Sequence, residues 1–122
     1  MLKNQEVQPK RGEIDFIELG MIGFEGSEQG GTRPGLILQN DVGNHFSDIT
    51  MVALISKSTR KNFSIHVRLD HKKYPFIKKG STVMLDQTRT ISQTRLSSKL
   101  GSLSEKEMLK VEKKIKISFG MR

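Results

Sequence analysis

The sequence predicts a small, mainly β domain: a curved, mostly antiparallel sheet or barrel with one helix near the C-terminus. Three observations carry that expectation. Short alternating or apolar segments recur between glycine-rich turns. Only the last segment repeats its apolar residues at helical spacing. At 122 residues, 34% of them apolar, the chain is long enough for one core and too short for two.

Met1 to Lys10 is polar, with Pro9 near its end, and reads as a loose tail; the domain is expected over residues 11–122. Glu13 to Leu19 supplies a first strand, with Ile14 and Phe16 on one face and Asp15 on the other. Ile17 and Leu19 break the alternation, which predicts a bulge or burial on both faces. Gly20, Gly23 and Gly26 then space out a loop carrying Met21, Ile22 and Phe24, apolar residues that either fold back onto the core or stack on a ligand. The loop lacks the Gly-Lys-Ser/Thr ending of a phosphate-binding Walker loop, and its glycine spacing is not that of a dinucleotide site.

The stretch GSEQGGTRPGLILQN, residues 26–40, leads from that loop into a buried strand. Gly30 and Gly31 permit backbone angles closed to other residues, and Pro34 pushes Arg33 toward an extended conformation. The arrangement sets a guanidinium, whose rigid fork of donors suits phosphate oxygens, at the start of a strand. On spacing alone it reads more readily as a charged, solvated turn.

Leu36 to Gln39 is expected as the second strand and Ile49 to Ser56 as the third, with Asn40 to Ser47 a turn-rich link between them. Asn62 to Leu69 alternates, with Phe63, Ile65, Val67 and Leu69 inward and Ser64, His66 and Arg68 outward. Asp70 to Lys79 is a basic loop holding Tyr74, Pro75 and Phe76. Thr82 to Leu85 is a short strand, followed by Asp86-Gln87-Thr88-Arg89 and the β-prone Thr90-Ile91; Ser97 to Leu103 adds an edge piece. The helix runs from Ser104 to about Ile117. Ser104 and Glu107 have the spacing of a capping box, Leu103 and Met108 that of a hydrophobic staple, and Met108, Val111 and Ile115 form the inner stripe.

The net charge of +8 is uneven. Residues 1–56 hold eight acidic and four basic side chains, whereas residues 57–79 hold eight basic ones against Asp70 alone. Such a segment is either the footprint of a polyanion binder or a lysine-rich solvated surface. Without cysteine there is no disulfide or thiolate chemistry, which suits the cytoplasm. No apolar run is long enough to span a bilayer, and the first ten residues lack an apolar signal core. His45, His66 and His71 have no metal-ligand spacing, and Glu13, Asp15 and Glu18 read as a solvated strand face; neither a metal site nor a cofactor is expected.

RGEIDFIEL, GSEQGGTRPGLILQND, VGNHFS, MVALIS and LDQTRTIS, in that order, resemble the toxin endoribonucleases of the MazF/PemK family over nearly the whole chain from Arg11. The resemblance implies an SH3-like barrel of the PemK/CcdB toxin type, usually a homodimer, that cleaves single-stranded RNA without a metal. The ribose 2′-oxygen attacks the adjacent phosphate and leaves a 2′,3′-cyclic phosphate and a 5′-hydroxyl end. By this resemblance Arg33 stabilises charge at the scissile phosphate. Ser56, where the family carries threonine, supplies a hydroxyl without the stiffening methyl group, and Glu28 positions the 2′-hydroxyl or orients Arg33. Gln29, Gln87 and Arg95 are candidates for reading base edges, and Phe24 or Phe46 for stacking. A cognate antitoxin with an acidic, disordered segment is the implied partner. Lys72, Lys73, Lys78 and Lys79 would supply its charge contacts, and Phe24, Tyr74 and Phe76 its apolar ones. Two other classes remain: a non-enzymatic toxin of the gyrase-poisoning branch, disfavoured because the chain has no tryptophan and ends Phe-Gly-Met-Arg, and a nucleic-acid-binding barrel that does not cleave.

Overall fold

The order of the strands in the sheet explains how residues distant in sequence come to share one cleft. The computed structural model describes residues 8–20, 31–57 and 65–122. Six strands, β1 (Glu13–Gly20), β2 (Gly31–Ile37), β3 (Ile49–Lys57), β4 (His66–Arg68), β5 (Ser81–Ser92) and β6 (Leu96–Ser102), form one sheet in the order β4-β5-β3-β2-β1-β6. Every adjacent pair is antiparallel. Helix α1 (Asp41–Phe46) lies between β2 and β3, a 3-10 turn (Gln93–Arg95) links β5 to β6, and α2 (Glu105–Ser118) closes the chain. The expected antiparallel sheet with a late helix is the fold observed.

The broken alternation of β1 has both of its expected consequences. Its pairing with β6 shifts register between Ile14 and Asp15 and again between Phe16 and Ile17. Burial follows on both faces: Ile14 joins one apolar cluster, with Leu36, Ile55, Val83, Met108 and Val111. Ile17 and Leu19 join a second, with Ile37, Val52 and Leu54. The helix seals the first cluster through the stripe the periodicity predicts.

Six expectations are corrected. The link from Asn40 to Ser47 is helical: the Asn40 side chain accepts from the Gly43 amide at 2.7 Å and starts α1. So short a helix, with a glycine inside, leaves no periodicity to read. Its Asn44 is fully buried in a polar knot, accepting at Oδ1 from Thr50 Oγ1 at 2.6 Å and from Gln39 Nε2 at 3.0 Å. The second strand starts at Gly31, five residues earlier than expected, and ends before Gln39, whose side chain serves that knot. The pieces around Thr82 and Thr90 are one strand, β5. Its register against β3 jumps between Met84 and Thr88, so Leu85, Asp86 and Gln87 bulge out. That bulge brings Asp86 Oδ1 to 2.8 Å from His66 Nε2, so His66 is held against the protein and not presented outward. Asp15 is buried, not solvated, beside Glu13, whose carboxylate lies 3.1 Å from Lys99 Nζ. Burial, reinforced by the charge of Glu13 and opposed by Lys99, lifts the Asp15 carboxyl to about 6.

Tyr74 is the sixth correction. It is buried under α2, unavailable to a partner, and its hydroxyl meets the helix start: the Ser104 amide donates to it at 3.3 Å, and it lies 3.3 Å from Glu107 Oε1. Ser104 Oγ accepts from the Glu107 amide at 3.1 Å, which is the expected half of a capping box. The returning half is taken by Tyr74 in place of the Glu107 side chain. Phe24, Glu28, Gln29 and Phe63 lie outside the described residues.

Candidate active site

Proline at position 34 and the positive φ of Gly31, 76°, shape the first turn of β2, and Arg33 follows in extended backbone opposite Ile17 of β1. On the other side of β2 the register with β3 pairs Gly35 with Leu54. Counted two residues further, the same register puts Arg33 across from Ser56. Both side chains open into one cleft of about 510 Å³. Its apolar wall is Phe16, Pro34, Ile55, Phe76 and Leu100, and Lys57 and Lys78 stand at its rim. Gly101 of β6 lets the Phe76 ring pack against the strand, in the space that a side chain there would fill.

The electrostatics of the cleft are those of an anion site. Partial burial lowers the pKa of Arg33, and the like charge of Arg89 on β5 lowers it further. Two cations held together and partly stripped of water gain by taking a phosphate between or beside them. Ser56 is half-buried, and among the described residues its hydroxyl makes a long 3.3 Å bond to the carbonyl of Lys57 and a 3.5 Å contact with Met84 Sδ. Neither is strong enough to hold the hydroxyl against a better acceptor.

Of the candidates read from the sequence, Arg33 and Ser56 meet in this cleft, whereas Gln87 and Arg95 do not line it. Gln87 is exposed on the β5 bulge. Arg95 straps the sheet, its Nη1 donating to the carbonyls of Glu18 at 3.0 Å and Leu19 at 3.3 Å, which fixes the end of β1. Phe46 stands 80% exposed on α1, away from the cleft lining. Sequence reasoning missed Phe16, Lys57 and Leu100 as cleft residues. It assigned Phe76 and Lys78 to the groove that an antitoxin segment would share with RNA, and both line this cleft. The composition of residues 57–79 signalled that a cation would stand there, but not which one.

The sequence profile of the PemK-like, MazF-like toxins of type II toxin-antitoxin systems matches residues 10–119. The chain belongs to the MazF/PemK family. Among its relatives, the endoribonuclease EndoA of Bacillus subtilis is 41% identical over 113 residues, covering 92% of this chain and 95% of the relative. The endoribonuclease MazF of Staphylococcus epidermidis is 40% identical over 113 residues, covering 92% of each. The fold recurs in solved structures of MazF toxins. A MazE-MazF complex from Deinococcus radiodurans superposes with a TM-score of 0.76 at 21% identity, over 96% of this chain and 100% of that one. A mycobacterial endoribonuclease in complex with its cognate antitoxin superposes with a TM-score of 0.75 at 19% identity, over 93% and 97%. At such identities these structures speak for the fold alone.

Proposed function

We propose that this MazF-like endoribonuclease toxin cleaves single-stranded RNA in the Arg33–Ser56 cleft. The observation that carries the reading is the convergence itself: a partly desolvated guanidinium and a weakly held hydroxyl, from different strands, at the floor of one lysine-rimmed cleft.

The scissile phosphate lies against Arg33. As the ribose 2′-oxygen forms its bond to phosphorus, charge builds on the non-bridging oxygens. Arg33 and the Ser56 hydroxyl stabilise it through hydrogen bonds prearranged by the sheet. The bond from phosphorus to the 5′-oxygen then breaks and a proton reaches that oxygen, which the lowered pKa of Arg33 favours. The 2′-hydroxyl proton leaves toward a base, and by family resemblance Glu28 positions that hydroxyl or orients Arg33. The nucleophile belongs to the substrate, so DNA, which lacks it, is not cut. Lys57 and Lys78 draw the strand in. The toxin works in the cytoplasm as a homodimer. An acidic segment of its antitoxin competes for the same cleft, with Lys78 and Phe76 among its contacts. Incubation with a long natural RNA in EDTA, followed by mapping of the new 5′ ends, tests the reading. Recurrent cuts bearing 5′-hydroxyls, absent with Arg33→Ala, are expected; intact RNA, or cuts that survive the substitution, overturns it.

A further inference from the structure

A second cleft, of about 370 Å³, opens where the edge strand β4 passes under α2. His66, Arg68, Lys110, Lys113, Lys114 and Glu107 line it, none of which lines the Arg33–Ser56 cleft. Its charge is strongly positive. Glu107 is the acid among the lining residues, and it is already engaged by Tyr74 and, at 3.7 Å, by Lys110. Asp86 is likewise turned to His66. Lys113 and Lys114 add to the positive charge of the lining, and Arg68 and Lys113 are exposed to solvent.

The sheet register ties this cleft to the first. Thr82 of β5 pairs with Ser56 on one side and with Arg68 on the other. Arg68 is therefore two strand spacings from Ser56, about 10 Å. A polyanion that enters between Arg33 and Ser56 has a second group of cations within a few nucleotides.

We propose that the β4–α2 cleft carries the phosphate backbone of the substrate RNA beyond the cleavage site, extending the track from Ser56 across Arg68 to Lys113 and Lys114 on α2. The inference takes from the proposed function that single-stranded RNA is the substrate. It assigns these residues affinity and reach, with no part in the chemistry. The lysines are flexible point charges on a helix, suited to following a backbone without reading bases.

The experiment measures binding of 2′-O-methyl oligouridines, which cannot be cleaved, of about two nucleotides, spanning the cleavage site alone, and of about twenty. With Lys113→Glu and Lys114→Glu combined, the longer strand should bind about tenfold more weakly at low salt. The slope of log affinity against log salt should become shallower by roughly 1.4, the value for two lost phosphate contacts on a single strand. The shorter strand should bind as before, and cleavage of a short substrate should keep its rate. Lys113→Gln with Lys114→Gln gives a smaller loss in the same direction and guards against disruption of the helix, which circular dichroism checks. Unchanged binding of the longer strand overturns the proposal, as does an equal loss for both lengths. So does lost affinity for an acidic peptide with RNA binding intact, which would assign the cleft to a protein partner. Because the probes are uncleavable, these outcomes are separate from the Arg33→Ala cleavage test, whose failure would fall on the active-site reading instead.

Discussion

The two basic clefts solve different problems with different cations. In the first, Arg33 is held on a central strand, between β1 and β3, partly buried and with its pKa lowered by burial and by Arg89. In the second, the cations sit on an edge strand and on the outer turns of a helix, most of them open to water. A transition state needs a donor fixed in place and poorly solvated, so that reaction requires no reorganisation. A backbone track needs charge and reach alone. The difference between the clefts is thus one of rigidity more than of charge.

The sharpest way to break this comparison is Arg33→Ala, expected to lower cleavage by about 100- to 1000-fold with the fold intact. Arg33→Lys should recover little of it, because a point charge cannot replace the fork. Single-turnover rates on an RNA carrying a mapped site decide it. If Arg33→Ala and the paired lysine reversals reduce the rate equally, the distinction between the clefts collapses.

A buried charge outside both clefts serves as the control. Asp15 has a carboxyl raised from 3.8 to about 6, so the native state holds its proton more tightly than the unfolded chain does. Stability from this group is full below about pH 4 and is lost as pH rises through about 6. Asp15→Asn should therefore stabilise the protein at pH 7 by on the order of 1–3 kcal/mol and flatten its stability between pH 4 and 6. Urea titrations across that range measure it, and cleavage should be unchanged. A fall in stability at pH 7 would show that the carboxylate, though buried, is well compensated.

Rigidity of the first cleft is tested from its wall. A methyl group at Gly101 would meet the Phe76 ring. Gly101→Ala should displace the ring, cost about 1 kcal/mol of stability and slow cleavage several-fold, while affinity for long RNA at the second cleft persists. Retained rates with lowered stability would mean that Phe76 walls the cleft without shaping it.

Local features were legible in the sequence. The alternation of β1 and its defect, the extended step at Arg33-Pro34 and the Ser104 cap each depend on neighbours a few residues away. What escaped depends on pairing at long range. The bulge at Leu85–Gln87 is set by β3 and β4, and it turned His66 inward. The burial of Asp15 follows from β6 closing over β1. Tyr74 looked like an exposed aromatic in a lysine-rich loop until α2 was laid across it. Arg33 and Ser56 were singled out by resemblance and, in Arg33, by glycine and proline spacing. Their meeting in one cleft follows from β2 and β3 being neighbours, which periodicity does not reveal. Lys57 and Phe76 escaped for that reason.

A last expected effect concerns Ser56, and it sharpens the comparison within the first cleft. Among the described residues its hydroxyl is held by the long bond to the Lys57 carbonyl and the contact with Met84. It therefore contributes less fixed orientation than Arg33, whose strand and partial burial restrict it. Ser56→Ala should slow cleavage by about tenfold, less than the roughly 100- to 1000-fold typical of a well-fixed donor, because this hydroxyl is loosely held. Ser56→Thr restores the hydroxyl and adds a methyl group that limits rotation about χ1. If poor orientation is what limits the serine, the threonine variant should match the wild type or exceed it slightly. The comparison should appear in the single-turnover rate and not in affinity for uncleavable RNA. A threonine variant as slow as alanine would mean that the added methyl finds no room beside Met84, while normal cleavage by the alanine variant would remove Ser56 from the chemistry and leave Arg33 to stabilise the phosphorane with other donors.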